Sequence, residues 1–126
     1  MKKDEIINTV SIKQQTEEII NTYQSWCNYS RLHDYPAMFD LCTENSSFAE
    51  LTNACAKSTS LGIFYKYEFS NIKVIRISEN PNAAIVTGDI SLIQSGQKLV
   101  FNGKFQSSCI YYNAWKLDEI EVEWKM

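Results

Sequence analysis

The sequence feature that most constrains the fold is a long amphipathic stretch between residues 11 and 32. The residues on its apolar side recur at alternating spacings of four and three, which is the period of one face of an α-helix. They are Ile12, Thr16, Ile19, Tyr23, Trp26 and Ser30. About 21 residues at 1.5 Å each predict a helix roughly 31 Å long, enough to cross a whole sheet. We therefore expect this helix to pack across a sheet built by the rest of the chain.

Capping residues predict where this helix and a second, shorter helix begin. Ser11 and Gln14 fit a capping box, in which the serine accepts a hydrogen bond from a first-turn amide and the glutamine reaches back. Residues 1–10 are then expected to form a flexible or additional helical N-terminal segment.

Asp34 is the predicted N-cap of the short helix, and Pro36 lies in its first turn, where a missing amide proton costs nothing. The predicted buried edge of this helix comprises Met38, Leu41 and Cys42.

Between these helices and the sheet the periodicity is less regular. Residues 47–51 are predicted to form a short strand. Residues 58–69 are ambiguous, because Tyr65, Tyr67 and Phe69 alternate like a strand whereas Leu61 and its neighbours also fit a helical turn. Periodicity alone does not decide between the two.

Strands dominate from residue 71 onward, so the chain reads as helices first and strands afterwards, the pattern of an α+β fold. The predicted strands are 71–78, 83–94, 99–112 and 114–125, with turns at 79–82 and 95–97.

The last predicted strand changes phase along its length. Trp115 and Leu117 share one parity, whereas the later apolar residues Ile120, Val122 and Trp124 share the other. One extra residue near Asp118-Glu119, a β-bulge, restores a continuous apolar face. Because bulges bend sheets, the prediction is a curved sheet under the long helix.

The size, charge and hydropathy of the chain limit the classes of protein to which it can belong. The 126 residues are predicted to form one domain, 1–126. The 12 Lys and Arg are scattered and the net charge is -3, so no nucleic-acid partner is expected. No stretch approaches the ~18 apolar residues of a membrane span, and acidic residues interrupt the apolar run that a secretory signal requires. We therefore expect a cytoplasmic protein without a membrane partner.

The potential metal ligands in the sequence have plainer interpretations. Four cysteines lie far apart at positions 27, 42, 55 and 109, and His33 is the only histidine. Free thiols are the expectation in a reducing compartment. Glu121 and Glu123 alternate with apolar residues of the last strand, which is typical of a solvated face. Neither a metal nor a cofactor is therefore expected.

The order of elements resembles the nuclear-transport-factor-2-like superfamily, whose members are also called SnoaL-like or ketosteroid-isomerase-like. The resemblance covers residues 12–125 and is carried by the His33-Asp34 turn after the long helix and by Trp115-Lys116-Leu117 at the start of the last strand. It implies an α+β, cone-shaped fold, with a long N-terminal helix and short helices packed on a strongly curved antiparallel sheet, a cystatin-like roll. It also implies that residues 58–67 are helical.

The resemblance implies a candidate catalytic base but not a complete site. Aligning Asp34 with the turn of the ketosteroid isomerases places Glu50 at the position of their carboxylate base. Their tyrosine position falls on Trp26, and their protonated aspartate falls near Phe105 or Gln106, so the oxyanion hole does not match. The aromatic residues expected to line a pocket for a flat apolar ligand are Tyr23, Trp26, Phe64, Phe101, Phe105 and Trp115.

Two functions follow as hypotheses. The first is a small-molecule-binding cone, an isomerase, cyclase or dehydratase acting on an apolar carbonyl compound with Glu50 as base. The second is a non-enzymatic, dimeric ligand-binding or accessory protein. A buried carboxylate in a cavity would favour the first, and a filled interior would favour the second.

A homodimer through the outer sheet face is expected under either hypothesis. Strand parity directs seven residues outward, and five of them are large and apolar, more than a solvated face should carry. The seven are Ile85, Thr87, Ser91, Ile93, Val100, Ile110 and Tyr112. Reversed parity in one strand would instead bury some of them within the protomer.

Overall fold

The α+β architecture follows from three helices and four strands in the part of the chain that the structure describes. A computed structural model describes residues 2–79, 82–94 and 99–125, with side chains from Ile12 onward except Leu99. The elements are α1 (Lys2–Leu32), α2 (Tyr35–Asp40), α3 (Ser47–Ser60), β1 (Tyr65–Glu79), β2 (Asn82–Gln94), β3 (Leu99–Tyr111) and β4 (Trp115–Trp124). The predicted turn at 79–82 lies partly, and the predicted turn at 95–97 wholly, outside the described residues.

Helix α1 confirms the apolar stripe from Ile19 to Ser30, whereas Ile12 near the start of the predicted stripe is 55% exposed. Ile19, Tyr23, Trp26 and Ser30 are all fully buried. The predicted capping box is wrong, because α1 begins at Lys2 and passes through Ser11 as ordinary helix. The physical reason is that neither proline nor glycine occurs before residue 11, so nothing interrupts the helical hydrogen bonds there.

Helix α2 begins where it was predicted to begin, and the side chain of Asp34 caps its N-terminus. The Asp34 carboxylate accepts a hydrogen bond from the Ala37 amide at 3.3 Å, and proline occupies the first turn. Of the predicted buried edge Met38 is buried within α2, whereas Leu41 and Cys42 lie beyond the last residue of the helix and are half-buried. After α2 the chain returns to the sheet, where the Leu117 amide of β4 donates a hydrogen bond to the main-chain oxygen of Leu41 at 2.7 Å.

The strand predicted at 47–51 is wrong, because these residues belong to helix α3. Ser46 caps the helix by accepting a hydrogen bond from the Ala49 amide at 3.1 Å, and this starts a helix where an extended segment was expected.

The implied helix over 58–67 is wrong beyond Ser60. Gly62, at a φ of 82°, adopts the left-handed conformation that favours glycine after a helix, and β1 begins at Tyr65.

The four strands form one antiparallel sheet in the order β1-β2-β3-β4. The predicted bulge is confirmed. Ser107 pairs with Ile120 and Cys109 with Leu117, so Ser108 alone opposes Asp118 and Glu119. Trp115 and Leu117 are buried, and the three later apolar residues of β4 pack on the same core. The extra residue therefore keeps both halves of β4 facing the helix.

The space between α1, α3 and the inner sheet face is filled by aromatic rings. Five rings contact one another with centroids between 4.7 and 6.2 Å apart. They belong to Tyr23, Trp26, Phe48, Phe69 and Phe105. Gly88 makes room for them, since a Cβ there would lie 2.7 Å from the Phe105 ring. Among the described residues, large rings in mutual contact thus occupy the interior.

All four cysteines are free thiols, as expected, and all lie wholly or partly within the fold. Burial raises the pKa of Cys27 and of Cys109 from 9.0 to about 12. Such thiols stay protonated near neutral pH and behave as small apolar residues.

Candidate functional site

Tyr23, a predicted ligand-binding residue, lies at the centre of the interior. Its hydroxyl donates a hydrogen bond to Ser107 Oγ at 2.7 Å. Ser107 Oγ in turn donates to the main-chain oxygen of Glu119 in the β4 bulge, also at 2.7 Å. Burial raises the pKa of Tyr23 well above its ordinary range. The hydroxyl is therefore a neutral donor that links α1 to the bulge.

Trp26 makes the equivalent link between α1 and α3. Its indole Nε1 donates to Thr52 Oγ1 at 3.0 Å, and Thr52 Oγ1 donates to the main-chain oxygen of Phe48 at 2.9 Å. The Trp26 ring also contacts the rings of Phe48 and Phe69. Its one polar atom is thus already satisfied by the protein.

Glu50, the candidate base, does not join this group. Helix α3 buries Phe48, Thr52 and Cys55 against the core, whereas Glu50 is exposed on another face of the helix. An open groove of about 590 Å³ lies beside it between α2 and α3. The groove is lined by Phe39, Asp40, Cys42, Thr43, Glu44, Asn45, Ala49, Glu50 and Asn53. The structure therefore separates the candidate base from the candidate aromatic pocket.

The other aromatic candidates divide between core and surface. Phe105 and Trp115 are buried, and Trp115 meets Tyr111 edge-on at 5.4 Å. Phe64 and Phe101 are 39% and 37% exposed. The Trp115 indole N–H has no hydrogen-bond acceptor among the described residues. Four of the six candidates, counting Tyr23 and Trp26, are thus core residues.

A second groove, of about 690 Å³, lies between the N-terminal half of α1 and the far end of β1. Its lining includes Ile12, Thr16, Val74, Ile75 and Ile77. Two register shifts in β1, after Ser70 and after Val74, bend this edge of the sheet. Sequence reasoning did not anticipate this groove, because the bulges that shape it break the alternation on which strand prediction depends.

Asp118 and Glu119 attach the helical side of the fold to the bulge. Glu119 Oε2 accepts hydrogen bonds from the Ser47 amide at 3.0 Å and from Ser47 Oγ at 2.5 Å, which lower the pKa of the carboxyl group. Asp118 Oδ1 accepts a hydrogen bond from Thr43 Oγ1 at 2.6 Å. These carboxylates serve as structural acceptors. In the described part of the chain, no three acidic, histidine or cysteine side chains converge as a metal site requires.

Sequence reasoning missed two residues of the interior, Thr52 and Ser107. Both are buried hydroxyls that accept hydrogen bonds from the aromatic residues of α1. Thr52 lies four residues after Phe48 and three before Cys55, which is helical spacing. That signal was available, and interpreting residues 47–51 as a strand obscured it.

None of the helices in the described residues combines the length and apolar character needed to cross a bilayer.

No protein-family model matches the chain, and no protein of curated function matches it. Solved structures do. A protein of Novosphingobium aromaticivorans described as a scytalone dehydratase superposes with a TM-score of 0.69 at 14% identity, over 94% of this chain and 87% of that one. The protein Aln2 of a Streptomyces species gives a TM-score of 0.64 at 10% identity, over 84% of this chain and 87% of that one.

The intermembrane space region of the chloroplast protein ARC6 is also similar, with a TM-score of 0.60 at 17% identity, over 81% of this chain and 91% of that one. At these identities the likeness shows the fold alone. The fold is that of the nuclear-transport-factor-2-like, SnoaL-like proteins, which confirms the resemblance seen in the sequence.

Proposed function

We propose that this chain is a non-enzymatic module with the nuclear-transport-factor-2-like fold, a homodimeric accessory or ligand-binding protein that acts through its surfaces. The observation that carries the proposal is the filled interior. Small-molecule enzymes bind their substrates in concave pockets with a few convergent polar groups. Here five aromatic rings occupy the corresponding space between α1, α3 and the sheet.

The chemistry of the interior supports the same proposal. Apart from the aromatic residues and the thiols, the buried polar side chains among the described residues are all hydroxyls. They belong to Ser30, Ser46, Thr52 and Ser107. A general base must lie within hydrogen-bond reach of its substrate and needs a pKa suited to proton transfer. Serine and threonine hydroxyls that already bond to protein atoms do not meet that requirement.

The proposed compartment is the cytoplasm, and the supporting observation is the four free cysteines. A chain with four thiols and no disulfide suits a reducing compartment.

A chemical-shift experiment tests the closed interior. A set of small cyclic enones, as probes of apolar carbonyl binding, is titrated into ¹⁵N-labelled protein. We expect the Trp26 indole N–H signal to stay in place, because its acceptor is Thr52 and its ring is enclosed. The partly exposed indole of Trp124 serves as the control for non-specific contact. A saturable shift of Trp26 would show an interior that opens to ligands and would contradict the proposal.

A second candidate is an isomerase, cyclase or dehydratase acting on an apolar carbonyl compound, and the open groove beside Glu50 favours it. For that candidate, Glu50→Gln should lower the rate with a discovered substrate about 10²–10⁴-fold, as expected for loss of a general base. Because Glu50 is exposed, the thermal midpoint should not move. An unchanged rate would remove Glu50 from the chemistry. Glu17→Gln, on the exposed face of α1 and outside the groove, is the matched control and should leave the rate unchanged.

A further inference from the structure

The outer face of the sheet carries charges in rows that cross all four strands. One row runs Lys73, Thr87, Gln106 and Glu121, from β1 to β4. The next row runs Ser70, Asp89, Lys104 and Glu123. Lys73 lies between Ile72 and Val74, both of which pack against the core, so its own side chain faces outward.

Two shallow depressions lie along these rows. One, of about 470 Å³, brings together Lys73, Thr87, Asp89 and Lys104. The other, of about 310 Å³, brings Lys104 together with Gln106, Glu121 and Glu123. The outer apolar residues lie toward the ends of the strands, Ile85 and Ile110 at one end and Ile93 and Val100 at the other. The face therefore has a charged centre between apolar ends.

We infer that a second copy of this chain packs on the outer face with its two-fold axis parallel to the strands and midway between β2 and β3. This inference rests on the homodimer of the proposed function and adds its geometry. Such an axis places β1 over β4 of the partner subunit and β2 over its β3. Each charged row then meets the same row of the partner in reversed order.

Because each row meets its copy in reversed order, charges of opposite sign face each other across the interface. Lys73 faces Glu121 of the partner subunit, and Asp89 faces Lys104 of the partner subunit. At one end Ile93 meets Val100 of the partner subunit, since these two residues share a row. Charge pairs of this kind select one orientation of a complex more than they add affinity, because each charge loses water on binding.

An axis running across the strands would place each strand over itself. Through the first row it would oppose Lys73 to Lys73 of the partner subunit, and Glu121 to Glu121 of the partner subunit. Through the second row it would oppose Asp89 and Lys104 to their own copies. Like charges placed opposite each other across an interface disfavour a complex. The charge pattern thus favours the axis parallel to the strands.

Lys73 and Glu121 offer the sharpest test, because they cannot pair within one protomer. They lie on the two edge strands, and three strand spacings of about 4.8 Å separate them. Asp89 is less suitable, since it lies directly opposite Lys104 in the register of its own sheet and its Oδ2 accepts a hydrogen bond from Asn71 Nδ2 at 2.7 Å.

The experiment compares dimer dissociation constants by sedimentation equilibrium at low salt. Lys73→Glu and Glu121→Lys should each weaken the dimer about tenfold or more, because each places two like-charge pairs in the interface. The double variant should return to near the wild-type constant, and an equimolar mixture of the two single variants should form a heterodimer. Lys13→Glu, an equal change of charge on exposed α1, should have no effect. Thermal midpoints confirm that each variant is folded.

The outcomes separate the two claims. A wild-type dimer that neither single variant weakens, or that the double variant fails to restore, overturns the inferred axis and leaves the dimer itself standing. A wild-type mass near 14.5 kDa at micromolar concentration removes the dimer of the proposed function, and the axis with it.

Discussion

The two faces of the sheet are built from the same four strands and differ in almost every physical respect. On the inner face Tyr67, Phe105 and Cys109 are buried, and hydrogen bonds of the interior end on protein atoms. On the outer face two rows that contain lysines, carboxylates, hydroxyls and an amide cross the four strands. The inner face therefore contributes to the folding of the protomer. Side chains on the outer face can change, and with them the association of the protein, at little cost to the stability of the protomer.

This contrast also bears on function. Enzymes that act on small molecules hold them in concave pockets with a few convergent polar groups. In this chain Lys73, Asp89 and Lys104 lie instead on the outer sheet face, and Glu50 lies in the groove beside α2 and α3. We therefore expect inner-face substitutions to change stability and outer-face substitutions to change association.

The largest expected effect is that of Trp26→Ala. It removes a fully buried ring and its hydrogen bond to Thr52, so the free energy of unfolding should fall by about 3–5 kcal/mol. Urea denaturation measures it. Thr87→Ala, on the outer face, is the control and should stay within about 0.5 kcal/mol. A loss below about 1 kcal/mol for Trp26→Ala would mean that the interior is not closely packed.

A smaller loss is expected for Gly103→Ala on β3. A Cβ at this position would lie 2.6 Å from the main-chain oxygen of Glu123, and a backbone atom cannot move aside without displacing β4. Overpacking of this kind typically costs about 1–3 kcal/mol. The neighbouring Asn102→Ala, whose side chain is exposed, should change the same urea midpoint little. Equal midpoints for both variants would show that β3 and β4 separate more easily than the structure indicates.

The smallest expected effect is that of Tyr23→Phe. It keeps the ring and removes the hydroxyl that donates to Ser107, a loss of about 1 kcal/mol. Ser107 keeps its own bond to the Glu119 main chain, which limits the cost. Tyr112→Phe, at a 75% exposed position, should be neutral. A neutral Tyr23→Phe would indicate that the link from α1 to the bulge contributes nothing to stability.

Much of the fold could be predicted because its signals are local. The four-three spacing of α1, the Asp34 cap of α2 and the change of parity at Asp118-Glu119 are each contained in a few neighbouring residues. Residues 47–51 were predicted wrongly because five residues fit either period. Only the Ser46 cap and the longer spacing through Cys55 identify the helix.

The candidate site was harder to predict, because it depends on which way α3 rotates. That rotation points Thr52 toward Trp26 and leaves Glu50 exposed. Nothing within residues 47–51 alone determines it. It follows from how Phe48 and Cys55 fit against rings contributed by α1 and β1, elements distant in the sequence.

The sequence by itself determined the helix that crosses the sheet, the bulge that curves the sheet and the absence of any strong charge bias, because periodicity and composition are properties of short segments or of the whole chain. Only the tertiary structure decided that the space under the helix is filled and that opposite charges fall into rows across the outer face. Filling depends on the summed volume of rings from distant elements, and the rows depend on strand register.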